Sequence, residues 1–315
     1  MTESSAEVFG PVAADLASLE ALLRKSIDQD PPEVGSPMGD LFEAGGKRIR
    51  PALVLLSAKC GTYDTQRLFP AAMAVEVTHA ATLVHDDVID RSATRRGRPT
   101  VAAKLGDEPA IVVGDFYFAK AYELAAQTES PEVVAVLARA VKSICVGEVR
   151  QQSIRYRYGT DVDEYMERIS AKTGVLLGAC CEIGALLSGL DGDKREALVA
   201  YGLNLGLAFQ IADDVLDYLG TEGEVGKPIG HDILDGFATL PFMLAEIRIE
   251  DGRRLDEAEA RQVAEEVRAR RGADAALEQA RNFARLAREK LTSLPECEAT
   301  STLASLTEYV VSRKL

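Results

Sequence analysis

The chain has 315 residues, 47% of them apolar and 27% charged, a balance that excludes wholesale disorder, a collagen-like repeat and a small disulfide scaffold. Its 36 Lys and Arg against 50 Asp and Glu leave a net charge of −14, which argues against nucleic acid as a partner, because tracking a phosphate backbone needs the opposite sign. At ~150 residues per domain two domains are allowed, yet a large helical bundle absorbs such a chain as one, and the reading adopted is a single domain over 1–315.

The first residues, MTESSAEVFG, carry acidic groups and no basic flank before an apolar core, so no cleaved secretory signal is expected and the location expected is cytoplasmic. Apolar positions spaced by three and four predict helices over 7–26, 47–60, 68–91, 108–126, 131–157, 162–189, 194–219, 235–249, 255–270, 273–291 and 298–312. Between them lie Pro31-Pro32, Gly35-Ser-Pro37, Gly45-Gly46, Gly97-Arg-Pro99, Asp191-Gly192, Gly226-Lys-Pro228 and Asp251-Gly252, which punctuate the pattern. Strand signals are nearly absent, with no Asn-Gly hairpin. The longest run without a charged side chain, Ala197 to Ala212, has 16 residues, short of the ~20 that span a bilayer, so no transmembrane segment is expected. Cys60, Cys145, Cys180, Cys181 and Cys297 follow neither a zinc spacing nor a disulfide framework and are expected to be reduced thiols.

One sentence is written twice. Asp86-Asp87-Val88-Ile89-Asp90 returns 127 residues later as Asp213-Asp214-Val215-Leu216-Asp217, each at the far end of a long, weakly charged helical segment. Residues i and i+4 share a helix face, so Asp86 with Asp90, and Asp213 with Asp217, point two carboxylates the same way. A single motif of this kind is accounted for by a solvated acidic face. A repeated one on apolar helices is better explained by a hard divalent cation, and Mg²⁺ takes oxygen ligands, keeps waters and shares carboxylates with substrate phosphates. No Gly-x-x-x-x-Gly-Lys phosphate loop is present to do that work instead.

Cations for a diphosphate lie nearby. Gly45-Gly46-Lys47-Arg48-Ile49-Arg50-Pro51 lets Lys47 and Arg50 converge ahead of a helix, and Arg95-Arg96-Gly97-Arg98-Pro99 follows the first acidic motif. All three histidines sit beside these motifs. His79, two turns before Asp86, is placed to donate to a phosphate oxygen, whereas His85 and His231 read as structural.

With these residues assembled, the chain resembles the trans-polyprenyl diphosphate synthases, head-to-tail prenyltransferases of the isoprenoid synthase fold. The resemblance spans nearly the whole sequence: Gly45 to Pro51, Glu76-Val-Thr-His79, Leu83 to Asp90 with Arg95-Arg96-Gly97, Gly114-Asp115-Phe116, Gly147-Glu148, Lys172-Thr173, Phe209-Gln210 with the second acidic motif, Gly226-Lys227-Pro228, and Thr239-Leu240-Pro241. It implies an all-α bundle around a central apolar cavity, and a homodimer. It also implies condensation of isopentenyl diphosphate onto an allylic diphosphate (dimethylallyl, geranyl, farnesyl or geranylgeranyl) at a cluster of three Mg²⁺. By the same resemblance Asp86, Asp90 and Asp213 are direct metal ligands, and Asp87, Asp214 and Asp217 hold metal-bound waters. Arg95, Lys172 and Lys227 clamp the allylic diphosphate; Lys47, Arg50, His79 and Arg96 hold isopentenyl diphosphate; Thr173 and Gln210 lie near the developing cation. One departure is Phe237, which stands where many members carry a lysine, and it removes one supporting cation.

Two rival classes share parts of this pattern. A terpene cyclase needs one diphosphate and normally lacks the second aspartate triad. A subunit of a heteromeric synthase keeps its site and requires a partner. Product length is read from helix geometry: Thr78 and Thr82 lie near the face of Asp86, with Ala81 on its flank, and the position five back is ~7.5 Å deeper. In the resembling family aromatic groups here stop growth at ten to fifteen carbons. Ala81 and Thr82 are too small for that, so products beyond twenty carbons are expected, with Phe116 and Phe118 as the candidate floor.

Overall fold

A computed structural model describes residues 8–159, 161–220 and 229–312. The all-α expectation holds. By internal contacts the chain divides into two compact units, one comprising the chain up to Arg139 with Ala179–Glu196 and Leu294–Thr302, the other comprising Ala140–Gly178, Ala197–Ser293 and the residues from Leu303 onward.

The first unit is organised on α4 (Thr65–Ile89), which follows α1 (Ala13–Asp28), α2 (Pro32–Glu43) and α3 (Ile49–Ala58). Asp64 caps α4 by accepting the Gln66 N–H at 3.0 Å, satisfying one of the donors orphaned at a helix start. From Ala71 to Ala81 nearly every side chain of α4 is buried, whichever way it points, which marks a helix packed on all sides. It lies against α3 and α6 (Asp107–Ala126).

Two local features of this unit depart from the sequence reading. The segment read as punctuation around Pro32 and Pro37 is α2, with Pro32 in its first turn and Pro37 inside it. A proline at the first helical position is favourable, and Pro37 withholds only the bond to the carbonyl of Glu33, an exposed residue that water can serve. A small hairpin pairs β1 (Thr94–Arg95) with β2 (Arg98–Pro99) ahead of α5 (Val101–Leu105). Its two turn residues, Arg96 and Gly97, have φ of 52° and 74°, the two successive positive values that a tight hairpin turn requires.

The helix expected over 162–189, which belongs to the second unit up to Gly178, is interrupted. α7 (Pro131–Ser153) is followed by α8 (Val162–Ile169), a π turn at Ser170–Gly174, and α9 (Val175–Leu187). α10 (Gly192–Leu219) approaches this segment through glycines: a Cβ on Gly206 would stand 2.6 Å from the Cα of Gly174, and one on Gly202 would stand 2.5 Å from the carbonyl oxygen of Leu177. Only hydrogen fits there.

The helix expected over 235–249 is not formed, and α11 (His231–Leu234) and α12 (Leu240–Leu244) stand in its place. Gly236 takes φ of 87° with the Tyr156 ring packed where a Cβ would be, and Pro241 has no N–H to continue a helix from 237. α13 (Glu257–Ala269), α14 (Gly272–Lys290) and α15 (Glu298–Val311) complete the chain close to the expected bounds. Ile211, Val215, Tyr218, Phe242, Ala264 and Val267 contribute to this unit's core. Among the described residues one stretch, Val162–Leu187, is long and apolar enough to cross a membrane by length and composition, and 61% of its apolar window is buried inside the protein. All five cysteines are free.

Candidate functional site

The first acidic motif closes α4. Asp90 is the C-cap residue, its N–H donating to the Asp86 carbonyl at 2.8 Å, so Asp86 and Asp90 share one helical face as expected. Asp86 is half-buried and Asp90 exposed. Asp87 points elsewhere: it is 2% exposed, and its Oδ1 accepts from Arg95 Nε at 2.9 Å and Arg95 NH2 at 2.8 Å. Arg95 therefore holds the acidic helix end to the hairpin. Carbonyl ends of a helix favour cations, so carboxylates gathered there are unfavourable until a cation joins them.

The hairpin and α5 are tied to α2, where Arg98 pairs with Glu43 at 3.4 Å and Lys104 with Asp40 at 2.5 Å. The neighbouring basic segment enters α3 through Arg48, whose φ is 52°. Its guanidinium is spoken for, donating to Glu76 Oε1 at 2.9 Å, Glu20 Oε1 at 3.2 Å and the Phe42 carbonyl at 3.2 Å. Exposed Lys47 and half-buried Arg50 flank it. His79, also half-buried, lies among these arginines. Burial holds its imidazole well below the usual pKa, and Arg50, Arg96, Arg95 and Arg48 push it the same way, so it is neutral at pH 7 and can offer one N–H. Burial, Arg48 and Arg95 lower the pKa of Arg96 as well, and Glu76 opposes them. His79, Arg48, Arg50, Arg95 and Arg96 thus form one basic cluster.

His85 is structural. Its Nε2 lies 3.0 Å from the Ile111 carbonyl, and its ring fills the space a Cβ on Gly114 would take, so Gly114 lets α6 meet the end of α4. Ala81 is fully buried and Thr82 half-buried, with the Thr82 hydroxyl donating to the His79 carbonyl at 2.7 Å. The two candidate floor residues separate. Two positions apart on a helix means about 200° of rotation, so Phe116 and Phe118 cannot face one cavity. The Phe118 ring lies 5.6 Å from that of His85. Phe116 shares a face with Val112, which is 61% exposed. Tyr117, between them, is buried and donates to Asp30 at 3.0 Å.

The second acidic motif closes α10. Asp213 is half-buried; Asp214 and Asp217 are buried. Asp214 accepts from the Tyr165 hydroxyl at 2.6 Å and Gln210 Nε2 at 2.9 Å. Its pKa is raised to about 6 by burial, which those two bonds and Arg168 oppose. Asp217 accepts the backbone N–H groups of His231 and Asp232 at 3.1 and 3.0 Å, serving the start of α11. The middle aspartate of each motif is thus buried and held by protein partners, whereas Asp86, Asp90 and Asp213 keep more open carboxylates.

The π turn carries the two remaining candidates. Thr173 donates to Gln210 Oε1 at 2.8 Å, and Lys172 Nζ lies 2.6 Å from Glu148 Oε2, whose other oxygen accepts Gln152 at 2.9 Å. π insertions re-aim side chains and recur at functional sites. Glu148 was legible only as part of a Gly147-Glu148 pair and Glu76 only as part of Glu76-Val-Thr-His79, and Tyr165, Arg168 and Glu20 carried no signal of their own. Lys227 lies outside the described residues. Phe237 stacks beneath the Arg155 guanidinium at 5.4 Å. Among the described residues no three His, Cys, Asp or Glu side chains converge into a ready-made metal cage.

Residues 31–282 match the polyprenyl synthetase family. The chain is 41% identical over 238 residues to heptaprenyl diphosphate synthase component 2 of Geobacillus stearothermophilus, covering 76% of this chain and 74% of that one. Its fold is similar to polyprenyl synthase from Caulobacter crescentus CB15 complexed with calcium and isoprenyl diphosphate, with a TM-score of 0.93 and 37% identity over 100% of this chain and 99% of that one. It is also similar to decaprenyl diphosphate synthase from Rhodobacter capsulatus, with a TM-score of 0.90 and 32% identity over 98% of each chain. Family match, identity and fold agree with two acidic helix ends, the first tied to Arg95 and the second to Tyr165 and Gln210, and the chain belongs to the polyprenyl synthetase family of prenyltransferases.

Proposed function

We propose that the protein condenses isopentenyl diphosphate head-to-tail onto an allylic diphosphate and releases a polyprenyl diphosphate longer than twenty carbons. The observation that carries this reading is the pair of Asp-x-x-x-Asp motifs at helix C-termini, each with its middle aspartate locked by protein partners. The donors are oxygens only, the set a hard cation prefers. Mg²⁺, with three ions expected, fits Asp86, Asp90 and Asp213 as ligands and Asp87, Asp214 and Asp217 as their support; when bound it supplies the positive charge that stabilises departing pyrophosphate. Arg95, Lys172 and Lys227 neutralise and orient the allylic diphosphate as its C–O bond ionises. Lys47, Arg50, His79 and Arg96 hold the second diphosphate so that the double bond of isopentenyl diphosphate attacks the allylic carbocation, after which a proton is lost. Thr173 and Gln210, already hydrogen-bonded to each other, offer a fixed dipole to that cation. Ala81 and Thr82, small beside the acidic motif, support growth past fifteen carbons, and the heptaprenyl and decaprenyl synthases among the relatives support the longer range.

A homodimer is supported by apolar side chains standing out of helices, Val112 at 61% exposure on α6 and Val149 at 72% on α7. A second reading, a catalytic subunit that needs a partner chain, is favoured by the relative that is component 2 of a heptaprenyl synthase. Purified chain incubated with Mg²⁺, farnesyl diphosphate and labelled isopentenyl diphosphate, with products separated by chromatography, tests the condensation, the product length and the need for a partner chain. The expected result is a product above twenty carbons and a loss of turnover by orders of magnitude in Asp86→Ala and Asp213→Ala. Near-normal turnover in Asp213→Ala would reduce the second motif to a solvated face. No turnover until a second protein is added would establish the partnered subunit.

A further inference from the structure

Arg48 has its guanidinium enclosed by carboxylates. It adopts a left-handed backbone conformation, φ 52° and ψ 29°, as the residue that opens α3, a conformation that costs an L-residue with a Cβ free energy unless the surroundings hold it there. What holds it is visible. Glu76 and Glu20 accept from its two terminal nitrogens, the Phe42 carbonyl accepts from one of them, and the Phe42 ring lies 5.4 Å from the guanidinium carbon. The Arg48 and Glu76 side chains are 10% and 7% exposed. A Cβ built on Gly46 would stand 2.8 Å from NH1 of Arg48 and 3.3 Å from NH1 of Arg96, so the Gly45-Gly46 turn, Arg48 and Arg96 are packed into one small volume. Lys47 and Arg50 lie on either side of that fixed point.

We propose that Glu76 is a positioning residue for isopentenyl diphosphate: by anchoring Arg48 it sets the left-handed turn that aims Lys47 and Arg50, and it keeps Arg48 beneath the pocket. This rests on the proposed function and deepens it. Glu76 is on α4, three residues before His79 and ten before Asp86, so the anchor ties the basic turn to the helix that carries the acidic motif. Two physical effects of Glu76→Gln then have opposite signs. Removing a negative charge from a pocket of arginines strengthens attraction for a diphosphate. Loosening the turn spreads the cations that must meet it at once, and weakens binding.

Positioning wins in this account, because the pair is enclosed and its geometry decides where two other cations stand. Glu76→Gln is expected to raise the KM for isopentenyl diphosphate about tenfold or more, with kcat and the KM for the allylic primer within about threefold of wild type. Arg48→Lys, which keeps the charge and loses the planar fork, is expected to do the same, and Glu76→Gln with Arg48→Lys to be no worse than either alone. Melting temperatures accompany each assay, so that a general loss of fold is seen as a lowered melting temperature with a smaller apparent kcat and unchanged KM values. A KM for isopentenyl diphosphate that stays level or falls in folded Glu76→Gln overturns the proposal; should that variant fail to fold, the same outcome in Arg48→Lys overturns it. If wild type does not consume isopentenyl diphosphate at all, the proposed function fails first, and calorimetry with inorganic pyrophosphate reads the anchor separately: weaker binding in Glu76→Gln supports it, and tighter binding refutes it.

Discussion

Adding one methyl group at Gly206 should injure stability and turnover together. In a helix interior Gly→Ala alone stabilises by about 1 kcal/mol. At Gly206 the new Cβ would lie 2.6 Å from the Cα of Gly174 and 3.2 Å from its nitrogen, whereas carbon atoms rest about 3.5–4.0 Å apart. The obstacle is backbone, so no rotamer relieves it, and α10 must withdraw from the π turn by about 1 Å. Overpacking of this kind costs about 1–3 kcal/mol, and with a rigid obstacle the upper end applies, leaving a net loss of about 2 kcal/mol. At ~2 °C per kcal/mol for a chain of this size, the melting temperature should fall by about 4 °C. The same withdrawal stretches the 2.8 Å hydrogen bond from Thr173 to Gln210 past the ~3.5 Å at which it ceases to be one, and misplacement by ~1 Å costs about a hundredfold in rate. Gly39→Ala is the control, since nothing lies within 4 Å of its added Cβ and it should stabilise by about 1 kcal/mol. Scanning calorimetry and steady-state turnover read both. A Gly206→Ala protein as stable as Gly39→Ala, with native turnover, would refute the close-packing account of how α10 meets the π turn.

Because Phe118 lies beside His85 and Phe116 shares a face with exposed Val112, Phe118→Ala should lengthen the product seen by chromatography and Phe116→Ala should leave it unchanged. The His79 pKa is depressed below its ordinary 6.5 by burial and four arginines, so its contribution to stability is present above about pH 6.5 and is lost as pH falls toward the folded-state value, where the unfolded chain takes the proton first. His79→Gln should therefore lose less melting temperature than wild type between pH 7 and pH 5, measured by thermal scans in one buffer series. Burial pushes the thiols of Cys60 and Cys181 up to about 12 and Cys180 higher than its ordinary value, whereas at Cys297 burial is outweighed by bonds from Thr300 and Ala299. Iodoacetamide at pH 8 should mark exposed Cys145 and Cys297 in the native protein, and all five cysteines after denaturation, as mass spectrometry would read.

The long helices, the two acidic motifs and the pairing of Asp86 with Asp90 were legible in the chain because they are short-range: apolar period and i,i+4 spacing are fixed by helical geometry wherever the helix lies. α2 and the hairpin were missed because proline in a first turn and an Arg-Gly turn look like interruptions to a reading built on period. The helix expected over 235–249 failed for the converse reason, since its apolar spacing was adequate and Gly236 was taken by the ring of Tyr156, a residue eighty positions earlier. The partners that define the site are likewise brought together from beyond the reach of a helical period, by 8 to 49 residues. Asp86, Asp87 and Asp90 read alike in the motif, yet only Asp87 is buried against Arg95; Lys172 meets Glu148, Asp214 meets Tyr165, and Arg48 meets Glu76 and Glu20. Each of those side chains was visible as a charge or a hydroxyl. Which of them is enclosed, and by what, depends on helices brought together by packing, and burial is what turns an acidic residue into a buried counter-ion or an open ligand.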